Sequence, residues 1–228
     1  VTSQITVPFL RAGEEYVNAF DGVAVDSPGF ERVPEMQAGN YTIHRQWQVL
    51  QEMKKAGKKD LYWIFLEGNF LPTNPGALTL EEQADYQVRN TLHYYAYGIN
   101  RLATIVIDYD AADYYGEEHY GAGICTRYPL ACPKPAYAAM ATLTRQLNGM
   151  NFEKYVPTGS ATVFCLQFRH WKDADKILHV LWTVRGKRPV RLQAAPKANV
   201  ERYDQMDNVS GLKVQNGEVS LMLDDSPC

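Results

Sequence analysis

The sequence predicts a chain of two parts, an α/β region over residues 1–150 and an all-β region over residues 151–228. Two observations carry this prediction. Up to Gly149, apolar strand-like segments alternate with segments of helical periodicity, which is typical of a parallel sheet covered by helices. After Gly149 the helical period disappears, and short alternating runs separated by turn residues follow, which is typical of antiparallel strands.

Composition bounds the function. The 228 residues carry a formal net charge of -3, which gives no indication of nucleic-acid binding. No apolar run approaches the roughly 20 residues of a membrane span, and no signal peptide is visible at the N-terminus. We expect no membrane association, no cofactor and no metal, since neither a glycine-rich phosphate loop nor a Cys-x-x-Cys pair is present.

A possible disulfide and two possible glycosylation sites favour an extracellular location. Cys125 and Cys132 flank a short loop that contains proline, and they could form a disulfide. Two Asn-x-Ser/Thr triplets, at Asn40 and Asn208, are possible glycosylation acceptors. Together these features favour a secreted protein.

Three apolar strands are predicted in the first region, at about 21–26, 61–67 and 102–108. Helices are predicted between and around them, over 5–20, 41–56, 79–97 and 135–147. The third helix opens with a capping box, in which Thr79 and Glu82 satisfy each other's backbone donors, and Gly98 ends it. Apolar residues at 80, 84, 88, 92 and 95 predict its buried face.

Acidic residues stand at the ends of these strands. Right-handed crossovers bring the carboxyl ends of parallel strands to one rim, where enzymes of this architecture keep their chemistry. Asp26, Glu67, Asp108 and Asp110 would meet there, with Tyr109 beside them. Convergent acids and aromatic rings predict a sugar-binding cleft. The alternative is that Glu67 only caps the turn that begins at Gly68.

The second region reads as an antiparallel sheet or sandwich of five or more strands. Its runs are 161–169, 176–184, 189–192, 212–214 and 219–223. Turn signals separate them at 173–175, 185–187, 209–211 and 215–217, and Asn216-Gly217 is a strong signal for a two-residue hairpin.

Several motifs, in this order, resemble those of clan A glycoside hydrolases. The strand that ends in Glu67-Gly68 resembles the seventh barrel strand of that clan, whose terminal Glu is the nucleophile. The further similar segments are Glu81–Ala84, Asp108–Asp110, His119–Gly121, Cys132–Tyr137 and Val180–Thr183. The resemblance implies strands six to eight of a (β/α)8 (TIM-type) barrel, followed by a C-terminal antiparallel β-sandwich.

This resemblance implies retaining hydrolysis of glycosidic bonds with Glu67 as nucleophile. Substrate contacts would come from Asp26, Asp108, Tyr109, Asp110 and His119. The clan's acid/base carboxylate has no counterpart in this sequence. We therefore expect a partner that covers the open sheet edge. It would be either a missing N-terminal half or a second copy of the chain, and in the second case the protein would be an oligomer. Two alternatives remain, a non-catalytic structural protein that self-assembles and a carbohydrate-binding protein, both on a degenerate hydrolase fold.

Overall fold

A computed structural model describes most of the chain in two compact units, Val1–Lys134 and Pro135–Cys228. The second unit includes the helix 135–147, which the sequence analysis placed with the first region. The residues that the structure describes are 22–26, 33–36, 51–55, 57, 62–68, 71, 73, 77–99, 101–104, 121–126 and 131–228.

The first unit contains a parallel sheet. Its strands are β1 (Gly22–Asp26), β2 (Tyr62–Gly68) and β3 (Arg101–Thr104), in the order β1-β2-β3. Both pairs are parallel, which confirms the predicted direction of the strands. Residues 105–108, predicted to extend the third strand, lie outside the described residues, as do the predicted helix 5–20 and most of the helix 41–56, of which 51–55 are helical.

Helix α1 (Leu80–Ala96) follows β2 and begins with the predicted capping box. The Glu82 backbone N–H donates to Thr79 Oγ1 at 3.1 Å, and the Thr79 N–H donates to Glu82 Oε2 at 2.8 Å. The middle of the predicted apolar face is buried, at Ala84, Val88 and Leu92, whereas Leu80 and Tyr95 at its two ends are exposed. The prediction of burial was wrong at these two ends, because burial depends on what packs over each turn of the helix, and periodicity does not show that.

The second unit begins with helix α2 (Pro135–Leu147), as predicted, and continues into antiparallel strands. The strands are β4 (Met150–Tyr155), β5 (Val163–His170), β6 (Ile177–Thr183), β7 (Arg188–Gln193), β8 (Val200–Tyr203), β9 (Val209–Leu212) and β10 (Glu218–Leu223). They form three sheets, with the orders β4-β5-β6, β7-β10 and β8-β9.

The core of this unit forms where side chains of different sheets meet. Cys165 on β5, Leu181 on β6 and Leu223 on β10 are buried together, and Val190 and Leu192 of β7 pack against them. On the other side of the β5–β6 pair, the rings of Phe164 and Trp182 stack with centroids 5.3 Å apart. Both faces of this pair are therefore packed, and Trp182 is fully buried.

Three details of the second region differ from the sequence analysis. Strands β4 and β8 were missed, and residues 209–211, predicted as a turn, belong to β9. β8 and β9 have only four residues each, and in none of the three strands is a residue fully buried, so the sequence signal of a strand is weak there. The Asn216-Gly217 turn is confirmed, since both residues have positive φ, 53° and 79°, between the bridged residues Gln215 and Glu218.

Within the described ranges, no helix is both long enough and apolar enough to cross a membrane.

Candidate active site

Asp26 and Glu67 occupy the carboxyl ends of adjacent parallel strands. Asp26 is the last residue of β1 and pairs with Leu66, so position 67 is the next one along β2. Because the strands are parallel, positions 26 and 67 lie at the same rim of the sheet, which the carboxyl ends of the strands form. That rim is where parallel α/β folds place their functional groups.

The backbone of β2 is irregular at this point. Against β3, Phe65 pairs with Leu102 and Gly68 pairs with Thr104, so β2 uses three steps where β3 uses two. The extra residue falls at Leu66–Glu67, whereas the pairing with β1 stays regular up to Leu66. Such bulges re-aim a strand locally and are over-represented next to active sites.

Four of the predicted substrate contacts lie outside the described residues: Asp108, Tyr109, Asp110 and His119. Within the described parts of the chain, no three His, Cys, Asp or Glu side chains are grouped so that they could hold a metal ion.

A hydrogen-bonded node lies two residues after His119, on the carbonyl of Gly121. Three side chains donate to this oxygen: Thr73 Oγ1 at 2.8 Å, Lys134 Nζ at 2.9 Å and Gln83 Nε2 at 3.1 Å. Gln83 Nε2 also donates to the Leu71 carbonyl at 2.8 Å. The node therefore joins the segment that leaves β2 to the segment that follows His119.

Gly121 is required at this node for two reasons. Its φ is +66°, which side chains disfavour, and a Cβ built on it would lie 2.4 Å from Thr73 Oγ1. Gln83 and Lys134 are themselves buried, at 0% and 6% exposure. Groups buried in this way must form hydrogen bonds, so the node fixes the relative positions of both segments.

The sequence analysis quoted Gln83, Gly121 and Lys134 as members of three motifs but gave them no role. The structure brings the three motifs together at one carbonyl. The sequence contains a pattern that indicates such a role. Gln83, Gln87 and Asn90 are spaced so that they share one side of α1, and all three are buried. A polar row on the buried side of a helix indicates that side chains bind something other than the apolar core.

A second buried polar cluster joins a short 3₁₀ helix, Pro34–Met36, to α1. Arg89 Nε donates to Glu35 Oε1 at 2.9 Å, and Arg89 Nη2 donates to Glu35 Oε2. His93 Nε2 lies 3.3 Å from Glu35 Oε1. Burial raises the pKa of Glu35, but the hydrogen bonds and charges of His93 and Arg89 outweigh it and lower the pKa to about 2. This carboxylate stays ionised and paired, so its role is to hold the 3₁₀ helix against α1.

The structure does not join Cys125 to Cys132, the pair that the sequence analysis expected to form a disulfide. Cys125 forms a β-bridge with Pro133, while the Thr126 N–H donates to the Cys132 carbonyl at 2.8 Å. Cys132 is thus opposite Thr126 rather than Cys125, and neighbouring residues of a strand point to opposite faces. Accordingly, Cys125 is buried and Cys132 is exposed.

No protein-family model and no curated protein matches the sequence. Among solved structures, the chain is similar to a family 39 glycoside hydrolase from the gut symbiont Bacteroides cellulosilyticus WH2. The TM-score is 0.70 and the sequence identity is 19%, over 97% of this chain and 46% of that one. This chain therefore spans less than half the length of that protein.

Two further structures align with lower scores. One is CldA, a cyclomaltodextrin glucanotransferase with a three-domain ABC distribution, at a TM-score of 0.48 and 12% identity over 94% of this chain and 53% of that one. The other is Xyn30A, a family 30 subfamily 8 xylanase from Clostridium acetobutylicum. Its TM-score is 0.40 and its sequence identity is 9%, over 98% of this chain and 70% of that one. The likeness to the family 39 structure shows the fold, so the glycoside hydrolase-like fold that the motifs predicted is confirmed at that level.

Proposed function

We propose that this chain is the C-terminal half of a retaining glycoside hydrolase, with Glu67 as its nucleophile. One observation carries the proposal. Position 67 stands in the bulge at the carboxyl end of the central parallel strand, in a chain whose fold is similar to that of a glycoside hydrolase. In this interpretation β1, β2 and β3 are strands six to eight of a (β/α)8 barrel, and the second unit is its accessory β-sandwich.

The chemistry requires two carboxyl groups. A retaining enzyme holds them roughly 5–5.5 Å apart, one to attack the anomeric carbon and one to protonate the leaving oxygen. Glu67 would form the bond to the anomeric carbon as the glycosidic C–O bond breaks. The second group would donate its proton to the leaving oxygen, then take a proton from the water that cleaves the glycosyl-enzyme.

The acid/base group is expected on polypeptide that this chain does not contain. A barrel needs eight strands, and this chain spans 46% of the family 39 protein that it resembles. In the part of the chain that the structure describes, neither β1 nor β3 has a second neighbour, and an open parallel edge favours pairing. We infer that an N-terminal half, or a second copy of the chain, pairs at the β1 edge.

The substrate would be a carbohydrate, bound at the rim that carries position 67. We propose contacts from Asp26, which ends β1, and from four residues that come after β3 in the sequence: Asp108, Tyr109, Asp110 and His119. A secreted location suits an enzyme that acts on polysaccharides and forms part of the same proposal.

Mass and covalent labelling test the proposal together. The protein isolated from its source should exceed the 25.8 kDa of this chain, or should co-purify with a partner. That preparation should turn over an aryl glycoside, and a 2-deoxy-2-fluoro glycoside with a good leaving group should add one glycosyl mass to the peptide that contains Glu67. Fluorine at C2 slows formation and hydrolysis of the intermediate, so the adduct accumulates.

The matched variants are Glu67→Gln and Glu81→Gln, of which the second changes an exposed carboxylate in the first turn of α1. Glu67→Gln should lose roughly 10³-fold or more of the turnover, as expected when a covalent nucleophile is removed. Glu81→Gln should keep it. Equal activity of Glu67→Gln and the parent protein, or an adduct on another residue, would remove Glu67 from the mechanism.

A non-catalytic assembly is the second candidate, and the unpaired edges of β1 and β3 among the described residues favour it. It requires ordered oligomers of this chain without hydrolysis. Light scattering and turnover together distinguish the two candidates. A 25.8 kDa monomer that remains stable and dispersed contradicts assembly, and oligomers that hydrolyse the aryl glycoside contradict a non-catalytic role.

A further inference from the structure

The loop between β5 and β6 presents a tryptophan to solvent. Trp171 is 63% exposed, the highest fraction among the large apolar residues of the described chain that are exposed. Large aromatic side chains contribute much of the binding energy where proteins bind other molecules, so an exposed one marks a candidate contact.

The indole is held in place at its edge. The Trp171 backbone N–H donates to the Gly149 carbonyl at 3.0 Å. A Cβ on Gly149 would lie 3.3 Å from Trp171 Nε1 and 2.7 Å from His170 Nε2, so both rings pack closely over this glycine. Lys172 Nζ lies 4.3 Å from the centroid of the indole, within range of a cation–π contact. The ring is therefore exposed and yet positioned.

The rest of the loop is ordered by its own hydrogen bonds. The Lys172 N–H donates to His170 Nδ1 at 3.3 Å, and the Asp175 N–H donates to Asp173 Oδ1 at 3.2 Å. The Lys176 N–H closes a turn on the Asp173 carbonyl at 3.1 Å. A loop that is already ordered pays little conformational entropy when it binds a ligand.

The surroundings of the ring favour a sugar over a protein. Lys172, Asp173, Asp175 and Lys176 are exposed and supply charged donors and acceptors. A stable protein interface needs at least about 1,000 Å² with an apolar centre, whereas a single ring bordered by charges does not provide one. A pyranose has the complementary form, an apolar C–H face bordered by hydroxyl groups.

We propose that Trp171 is a stacking platform for a pyranose unit of a polysaccharide, with hydroxyl groups bound by the charged residues of the β5–β6 loop. This surface site belongs to the second compact unit, whereas Glu67 belongs to the first. The proposal goes beyond catalysis, since it holds whether or not Glu67 is a nucleophile.

Affinity electrophoresis of the full chain tests the proposal, in native gels that contain soluble xylan, hydroxyethyl cellulose or laminarin. At least one polysaccharide should retard the parent protein, and Trp171→Ala should weaken that retardation at least tenfold. Trp171→Tyr should retain part of it, because an aromatic face remains. Since Trp171 is exposed, thermal unfolding of Trp171→Ala should match that of the parent protein.

Glu67→Gln separates this proposal from the hydrolase proposal. It should be retarded as strongly as the parent protein, because position 67 takes no part in stacking. No retardation by any of the three polysaccharides, or equal retardation of Trp171→Ala, overturns the platform. Self-association of the parent protein that Trp171→Ala abolishes, without retardation, would instead assign the ring to a protein contact and would also overturn it.

Discussion

Gly121→Ala should destabilise the chain by about 2–3 kcal/mol. Left-handed backbone costs alanine roughly 1–2 kcal/mol, and φ at Gly121 is +66°. The new Cβ would meet Thr73 Oγ1 at 2.4 Å and displace a hydroxyl that donates to the Gly121 carbonyl, for about 1–3 kcal/mol more. The reduced freedom of the unfolded chain offsets roughly 0.4–1 kcal/mol.

Gly57→Ala is the matched control. Gly57 belongs to the same compact unit and has a φ of +83°, but nothing lies within 4 Å of its added Cβ. It should cost about 0–1 kcal/mol, so the two variants should differ by about 2 kcal/mol. For a chain of this size that corresponds to roughly 4–8 °C in Tm.

Circular dichroism and hydrogen-exchange mass spectrometry provide the assay. Gly121→Ala should lower the Tm more than Gly57→Ala, and should speed exchange in peptides that contain Thr73 and residues 121–124. Adding Thr73→Ala should recover about 1 kcal/mol, because it removes the hydroxyl that the Cβ would meet. If Gly121→Ala and Gly57→Ala unfold alike and exchange alike, the node does not hold the two segments together.

Two further predictions concern α1. Because the pKa of Glu35 in the folded chain is about 2, below the ordinary 4.5, its contribution is complete above pH 4.5 and is lost as the pH falls towards 2. The free energy of unfolding from urea titrations should therefore be lower at pH 3 than at pH 6 by at most about 2 kcal/mol from this group. A Glu35→Leu, Arg89→Leu double variant should lose that dependence; an unchanged pH response would contradict the assignment. Thr79→Ala should cost about 1 kcal/mol and speed exchange of the Glu82 amide, while Thr79→Ser should not; equal exchange in both variants would argue against the cap.

Local patterns were enough to predict the elements that position Glu67. Strands β1 and β2, their parallel direction, the capping box of α1 and the bounds of α2 all follow from apolar runs, glycine stops and side-chain spacing. Strand β8, with the sequence Val-Glu-Arg-Tyr, was not predictable in this way. Its stability comes from pairing with β9, and its residues carry no apolar alternation.

The buried polar clusters could not be predicted from the sequence, for a different reason. Glu35 and Arg89 are 54 positions apart, and the three donors to the Gly121 carbonyl come from separate segments. Nothing in the local sequence shows which distant charges will meet, because that depends on how the elements pack. The disulfide prediction rested on closeness along the chain alone, whereas the strand pairing places Cys125 opposite Pro133 rather than opposite Cys132.

The extra residue in β2 bears on how the polypeptide is divided or rejoined in engineering work. β2 pairs in step with β1 but out of step with β3, so the two ladders cannot be exchanged. A split between β2 and β3 would require two fragments to form the offset alignment again when they associate. A complementing fragment is better designed to dock beyond β1, where the sheet is in step and the offset stays within one covalent piece.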